Sequence, residues 1–295
     1  MCAALADGRL LCTLGNASAV APSIEYAVEV SVGRGSGCAR LRDGGVVCFR
    51  LRHPVDAAGR ARAGELAIDV DLRRAPELTG ATSISTAEDE TCAVAAPGDS
   101  VWCFSTFREP SAVEQRPTKL ELTGVRSIHL GATQGVAVLR SGEIAEFTRS
   151  LATVGARVPG LSGVISAGYG NSHGCALHGS GEVSCWGRDW LGLLGAGELT
   201  TRRGPLTVAD VHDARGLAVG YDHACVWDDG GRVRCWGSDQ AGQLGGAFEH
   251  DGAHSAKPKS IPGVRAMQLS AKTRTCGIQA GRVTWWGEAP WLACP

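Results

Sequence analysis

Residues 224–237 read ACVWDDGGRVRCWG, and residues 174–187 read GCALHGSGEVSCWG. Each is a short apolar strand, an Asp/Ser/Gly turn and a second short strand, the pattern of a β-hairpin. Setting Cys225 opposite Cys235 places Trp227 opposite Val233 and the turn at Asp229–Gly231. The two-residue period of a strand then puts Cys225, Trp227, Val233 and Cys235 on one face, with Ala224, Val226, Arg234 and Trp236 on the other. Apolar residues fall on both faces, so the sheet is expected to lie between two neighbouring sheets.

The unit recurs along the chain. Residues 37–48 read GCARLRDGGVVC and residues 2–12 read CAALADGRLLC. Ten of the 12 cysteines form five close pairs: Cys2/Cys12, Cys38/Cys48, Cys92/Cys103, Cys175/Cys185 and Cys225/Cys235. Opposed residues in a non-hydrogen-bonded antiparallel pair have Cα atoms about 4.5 Å apart, near the low end of what a disulfide accepts. Each pair is therefore expected to staple its own hairpin. Residues 135–147, GVAVLRSGEIAEF, keep the outline but carry Val136 and Glu146 in the two cysteine places. Both cysteines are absent together, as a disulfide requires. Residues 276–287, CGIQAGRVTWWG, keep Cys276 and have Trp285 where its partner would stand; by parity Cys276 is expected to pair with Cys294. Zinc would call for CxxC knuckles or Cys/His quartets, and the spacing offers neither. No metal and no cofactor is expected.

The first-cysteine position falls at residues 2, 38, 92, 136, 175, 225 and 276, which makes seven units. A strand precedes most hairpins, at Ala27–Val32, Val125–Leu130, Gly163–Ala167, Leu217–Val219 and Val264–Leu269. Three or four short strands per unit, repeated seven times without helical periodicity, fit a β-propeller. The expected architecture is all-β: one propeller domain over residues 1–295, with hairpins near 2–12, 38–48, 92–103, 136–146, 175–185, 225–235 and 276–286 and disulfides in most blades.

Residues 186–195 read WGRDWLGLLG and residues 236–245 read WGSDQAGQLG. The second resembles the WGxNxxGQLG signature of the regulator of chromosome condensation (RCC1) repeat family, with Asp239 in the Asn place. AGYGNSHGCAL (167–177) and VGYDHACVW (219–227) are similar to that family's AGxxHxxAL motif. The resemblance implies the seven-bladed RCC1-type propeller. It points to a disulfide-rich branch of the family, and the Ala/Arg/Gly-rich usage suggests a bacterial source. It also implies that His173 and His223, two residues before a first cysteine, mainly tie a turn to the next strand. The chain opens at Met1–Cys2, inside a hairpin whose preceding strand is absent. Either Glu288–Pro295 completes that blade, or residues upstream are missing.

The net charge of −1 builds no field for nucleic acid. No apolar run reaches the roughly 20 residues that span a bilayer. Paired cysteines point to an oxidising, extracytoplasmic location, secreted or in the cell envelope, although no export signal is present in the sequence. No GxSxG elbow, HExxH or P-loop occurs, so an enzyme is not expected. The expected function is a monomeric, non-catalytic scaffold that binds a protein partner. The alternatives are a guanine-nucleotide exchange factor for a small GTPase, a secreted enzyme inhibitor, or a carbohydrate-active propeller with a carboxylate pair in its channel.

Candidate binding residues are His173 and His223, with Ser36, Glu90, Gln134 and Arg274 at the equivalent position of other units. That position varies chemically and would read a partner if it lay on a rim. Trp186, Trp236 and Trp286 recur at one place, with Phe49, Phe104 and Phe147 as substitutes, so they are expected between blades. Trp190 and Trp291 do not recur and are expected to be exposed; Trp190 is the candidate contact residue. Gly246–Ser260, with Glu249, His250, Asp251 and His254, and the stretch Arg50–Arg74 are expected to be surface inserts.

Overall fold

The computed structural model describes residues 2–5, 7–14, 17–21, 24–33, 35–52, 65–71, 78–105, 117–148, 153–200, 204–245, 253–272, 275–279 and 282–286. The chain forms an all-β propeller. Among the described residues it makes sheets of consecutive antiparallel strands, one after another in chain order. Five carry four strands, whereas the sheets at the two ends of the chain carry three. The expectation of seven like blades is thus corrected to five complete ones among the described residues. The first sheet consists of the hairpin Cys2–Ala4/Leu10–Leu14 and the outer strand Ala17–Ala21, with no inner strand among the described residues. The last, Gln268–Ala271, Thr275–Gln279 and Arg282–Trp286, has an inner strand and a hairpin but no outer one there. Glu288–Pro295, considered above as the completion of blade one, lies outside the described residues.

The hairpin register is the one the sequence pattern requires. Cys225 pairs with Cys235 and Trp227 with Val233. In the unit without cysteines Val136 pairs with Glu146, and in the last unit Cys276 pairs with Trp285. Disulfides join Cys2–Cys12, Cys38–Cys48, Cys92–Cys103, Cys175–Cys185 and Cys225–Cys235, with Cα separations of 3.9–4.1 Å. Cys276 is also disulfide-bonded, but Cys294 lies outside the described residues. Glu146, which stands where a cysteine would, accepts a 2.7 Å hydrogen bond from Trp186 Nε1 in the next sheet. The place of a staple within a sheet is taken by a tie between sheets.

Neighbouring sheets are joined by one repeated backbone link. The N–H that opens each sheet's innermost part donates to a carbonyl in the hairpin turn of the sheet before. Ala27 donates to Gly8, Ala81 to Gly44, Val125 to Asp99, Val164 to Gly142, Ala214 to Gly181 and Ala266 to Gly231, at 2.8–3.1 Å. Gly44 shows why the turn is glycine. Its φ is +80°, and a Cβ there would lie 2.7 Å from the Gly80 Cα of the next sheet. Apolar side chains fill the space between sheets. Leu177, Val183, Leu194, Val208 and Val226 pack with Trp236 in one such cluster, and Ala224, Val226, Val233 and Trp236 are all fully buried. Both faces of the hairpin are therefore covered.

Two expectations about elements are corrected. The inner strand of the last unit is Gln268–Ala271, and Val264 belongs to the long outer strand His254–Arg265 of the sheet before. That strand pairs with Arg232–Ser238, so the edge of a four-stranded sheet takes up residues expected in a surface insert. Glu249, His250 and Asp251 lie outside the described residues. The stretch Arg50–Arg74 likewise contributes the ends of two paired strands, Val46–Arg52 and Ala67–Asp71.

Candidate functional site

The described candidate residues, Ser36, Glu90, Gln134, His173, Trp190 and His223, share one end of the sheets, opposite the hairpin turns, because each follows a first strand or a third strand. Their exposure separates them. His173 and His223 are fully buried, with 0% of their surface exposed, so no partner touches them in the folded chain. The equivalent Ser36 is buried as well, and Glu90 and Gln134 are half-buried. Arg274 lies outside the described residues. The varied position therefore runs between sheets and does not form a continuous rim. The physical reason is steric. A Cβ on Gly220 would sit 2.3 Å from His223 Cε1, and one on Gly170 would sit 2.6 Å from His173 Cε1, so each imidazole fills the space the glycine leaves. His223 also shares a 2.7 Å hydrogen bond between Nε2 and Thr275 Oγ1 of the next sheet.

Burial pushes the His173 pKa down to about 4, and burial with repulsion from His173 pushes His223 down to about 3. Both rings are neutral in the folded protein over the physiological range. Below their ordinary value of 6.5 the unfolded chain takes up protons that the folded chain refuses. Stability is therefore expected to fall as pH drops from 6.5 towards 4. Urea midpoints at pH 7.5 and pH 5 check this, and equal midpoints would show that the rings are not held neutral.

The glycine-rich loops after the third strands are inter-sheet latches. Asp189 accepts from Leu194 N–H at 3.1 Å and from Thr200 N–H at 2.9 Å, and Asp239 accepts from Leu244 N–H at 2.8 Å. Trp236 Nε1 donates to Leu193 O of the preceding sheet's loop at 3.0 Å. Most of the motif is spent on this packing, and Trp186 and Trp286 are buried alongside Trp236. Trp190 is different: it points outward from its loop and is 59% exposed. Trp291 lies outside the described residues. Glu90, Cys92 and Cys103 bring potential ligand atoms together, but the two sulfurs are bonded to each other and offer no thiolate to a metal.

The inner strands line an open cavity of about 270 Å³ that the sequence pattern does not reveal. Its lining includes Glu29, Ser31, Ser85, His129, Tyr169 and Lys272. Ser31, Ser85 and His129 hold one register position in successive sheets, opposite the first-cysteine position. Each accepts a backbone N–H from the following sheet: Thr86 at 2.7 Å, Leu130 at 2.9 Å and Tyr169 at 3.1 Å. Gly168 comes next, where a Cβ would lie 2.8 Å from Val219 Cβ. Glu29 is the one carboxylate among the described lining residues; Arg40 holds it at 2.7 Å and Ile84 N–H donates to it at 3.3 Å. Nearby, Tyr221 Oη donates to Glu88 at 2.7 Å, and Lys272 Nζ reaches Val32 O at 2.5 Å. A polar residue repeated just upstream of each hairpin was the available sequence signal, but its side chain gains meaning only from the neighbouring sheet.

Residues 215–243 match the regulator of chromosome condensation (RCC1) repeat family. No curated protein matches the chain by sequence. Among solved structures, yeast RCC1 (Prp20), crystallised with Kap60 bound, is 17% identical with a TM-score of 0.70 over 92% of this chain and 73% of its own. Human WBSCR16 is 16% identical with a TM-score of 0.64, covering 89% and 72%. The CRINKLY WD40 ectodomain of the Arabidopsis thaliana receptor kinase ACR4 is 14% identical with a TM-score of 0.57, covering 99% and 92%. At these identities the likeness concerns the fold.

Proposed function

We propose that this chain, an all-β propeller carrying an RCC1 repeat, is a single seven-bladed domain that serves as a non-catalytic protein-binding scaffold outside the cytoplasm. The observation that carries the reading is the set of five hairpin disulfides built into successive sheets. Such a set needs an oxidising compartment to form and persist. Similar proteins support a binding role: yeast RCC1 was crystallised with Kap60, and Prp20p of Saccharomyces cerevisiae is described with binding properties to Gsp1p and histones. The partner engages the end of the ring that carries Trp190, the large exposed aromatic residue of that loop.

Pull-down from the envelope and medium of the source organism, with oxidised wild-type protein and Trp190→Ala side by side, tests the reading. Wild type is expected to retain a protein that the variant retains at least about tenfold more weakly, while both melt alike. Equal retention would remove Trp190 from the contact, and no retained protein in either fraction would count against the scaffold. The alternative, a guanine-nucleotide exchange factor, is favoured by the likeness to yeast RCC1. It requires a reducing compartment and free thiols in the working protein, so a native thiol count separates the two.

A further inference from the structure

We propose that the central cavity binds a small carboxylate with a short apolar body. The inference does not depend on the scaffold reading, since no residue of the Trp190 loop is among those lining the cavity. Two of its lining groups, His129 and Lys272, offer donors. Tyr169 N–H donates to His129 Nδ1 at 3.1 Å, which fixes the tautomer of the neutral ring and places the remaining proton on Nε2. Burial, with the nearby Lys272 charge, keeps that ring uncharged at ordinary pH, with a pKa of about 4. Lys272 brings an ammonium group to the same cavity from the last sheet, where one of its protons goes to Val32 O at 2.5 Å.

Of the lining groups that could repel an anion, Glu29 is the one carboxylate among the described residues, and Arg40 neutralises it at 2.7 Å. The lining also includes apolar residues, among them Leu217, Val219, Leu269 and Ala271. At about 270 Å³ the space lies near the lower end of the range of small-molecule sites. A carboxylate accepts from Nε2–H and the ammonium, and its hydrocarbon end meets the apolar residues.

The register supplies the variant that tests it. Ser31 and Ser85 make the same backbone bridge as His129, so His129→Ser keeps the bridge while deleting the Nε2–H donor. Calorimetric titration and thermal melting of the oxidised full chain with sodium butyrate are compared with sodium chloride and inorganic phosphate at equal ionic strength. Butyrate is expected to bind wild type with a Kd of about 1 mM or tighter and to raise its melting temperature. Affinity is expected to fall roughly ten- to a hundredfold in His129→Ser and in Lys272→Met, the loss typical of a hydrogen bond to a charged group. If His129→Ser does not fold, Lys272→Met decides alone. Three results overturn the proposal: no binding by about 20 mM butyrate, unchanged affinity in a folded variant, or the same shift with chloride or phosphate, which would mean an adventitious ion only.

Discussion

Reduction of the hairpin disulfides is expected to remove cooperative unfolding near room temperature. Five bridges each close a ring of ten or eleven residues. In the chain-entropy account a ring of that size stabilises by about 2–3 kcal/mol. The bridges lie in separate sheets, so their effects should add to on the order of 10 kcal/mol, as much as the whole stability of an ordinary domain. Thermal melts followed by circular dichroism, with and without a phosphine reductant, measure the loss. The native protein should release no thiols, and the denatured, reduced protein twelve. Ten or more thiols in the unreduced native protein would sink both the staples and the extracytoplasmic reading. Hydrogen exchange adds a local check. Under mild reduction the hairpin holding Val136 and Glu146 should keep its protection longest, because it has no bridge to lose.

Trp236→Ala is expected to be the most damaging single substitution in the body of the ring. The side chain is fully buried among Leu177, Leu194, Val208 and Val226, and its Nε1–H serves the Leu193 carbonyl of the preceding sheet. Truncation leaves a cavity and an unserved carbonyl together, a loss of about 3–5 kcal/mol. Trp236→Phe separates the two effects. It keeps much of the volume but drops the donor, so it should cost roughly 1–2 kcal/mol. Guanidinium unfolding of both variants measures these values. If Trp236→Ala unfolds within about 1 kcal/mol of wild type, the indole is not the wedge between sheets that its burial indicates.

Legibility followed the range of the interaction. The pairing of Cys225 with Cys235, and of Val136 with Glu146, was readable because a hairpin register depends on residues about ten apart and on the turn between them. The buried indole of Trp236 was readable too, since it recurs once per unit and recurrence of a large apolar group marks a shared interior position. Glu146 was read only as a lost cysteine; its bond to Trp186, 40 residues on, could not be seen. The long outer strand His254–Arg265 was misread because an edge strand takes its conformation from the strand it joins.

The sequence by itself determined the unit: a hairpin of fixed register, usually stapled by a disulfide and repeated around an all-β propeller. Those features are local, and short-range chemistry is enough to impose them. Only the tertiary structure decided which polar residues face a partner and which face one another. His173 and His223 look like a variable reading position, yet they are sealed between sheets, because Gly170 and Gly220 leave space that each imidazole fills. His129 and Lys272 lie 143 positions apart in the chain and share a cavity only because the ring brings the inner strands of distant units around one axis. No spacing along the chain encodes that meeting; it follows from how successive sheets pack.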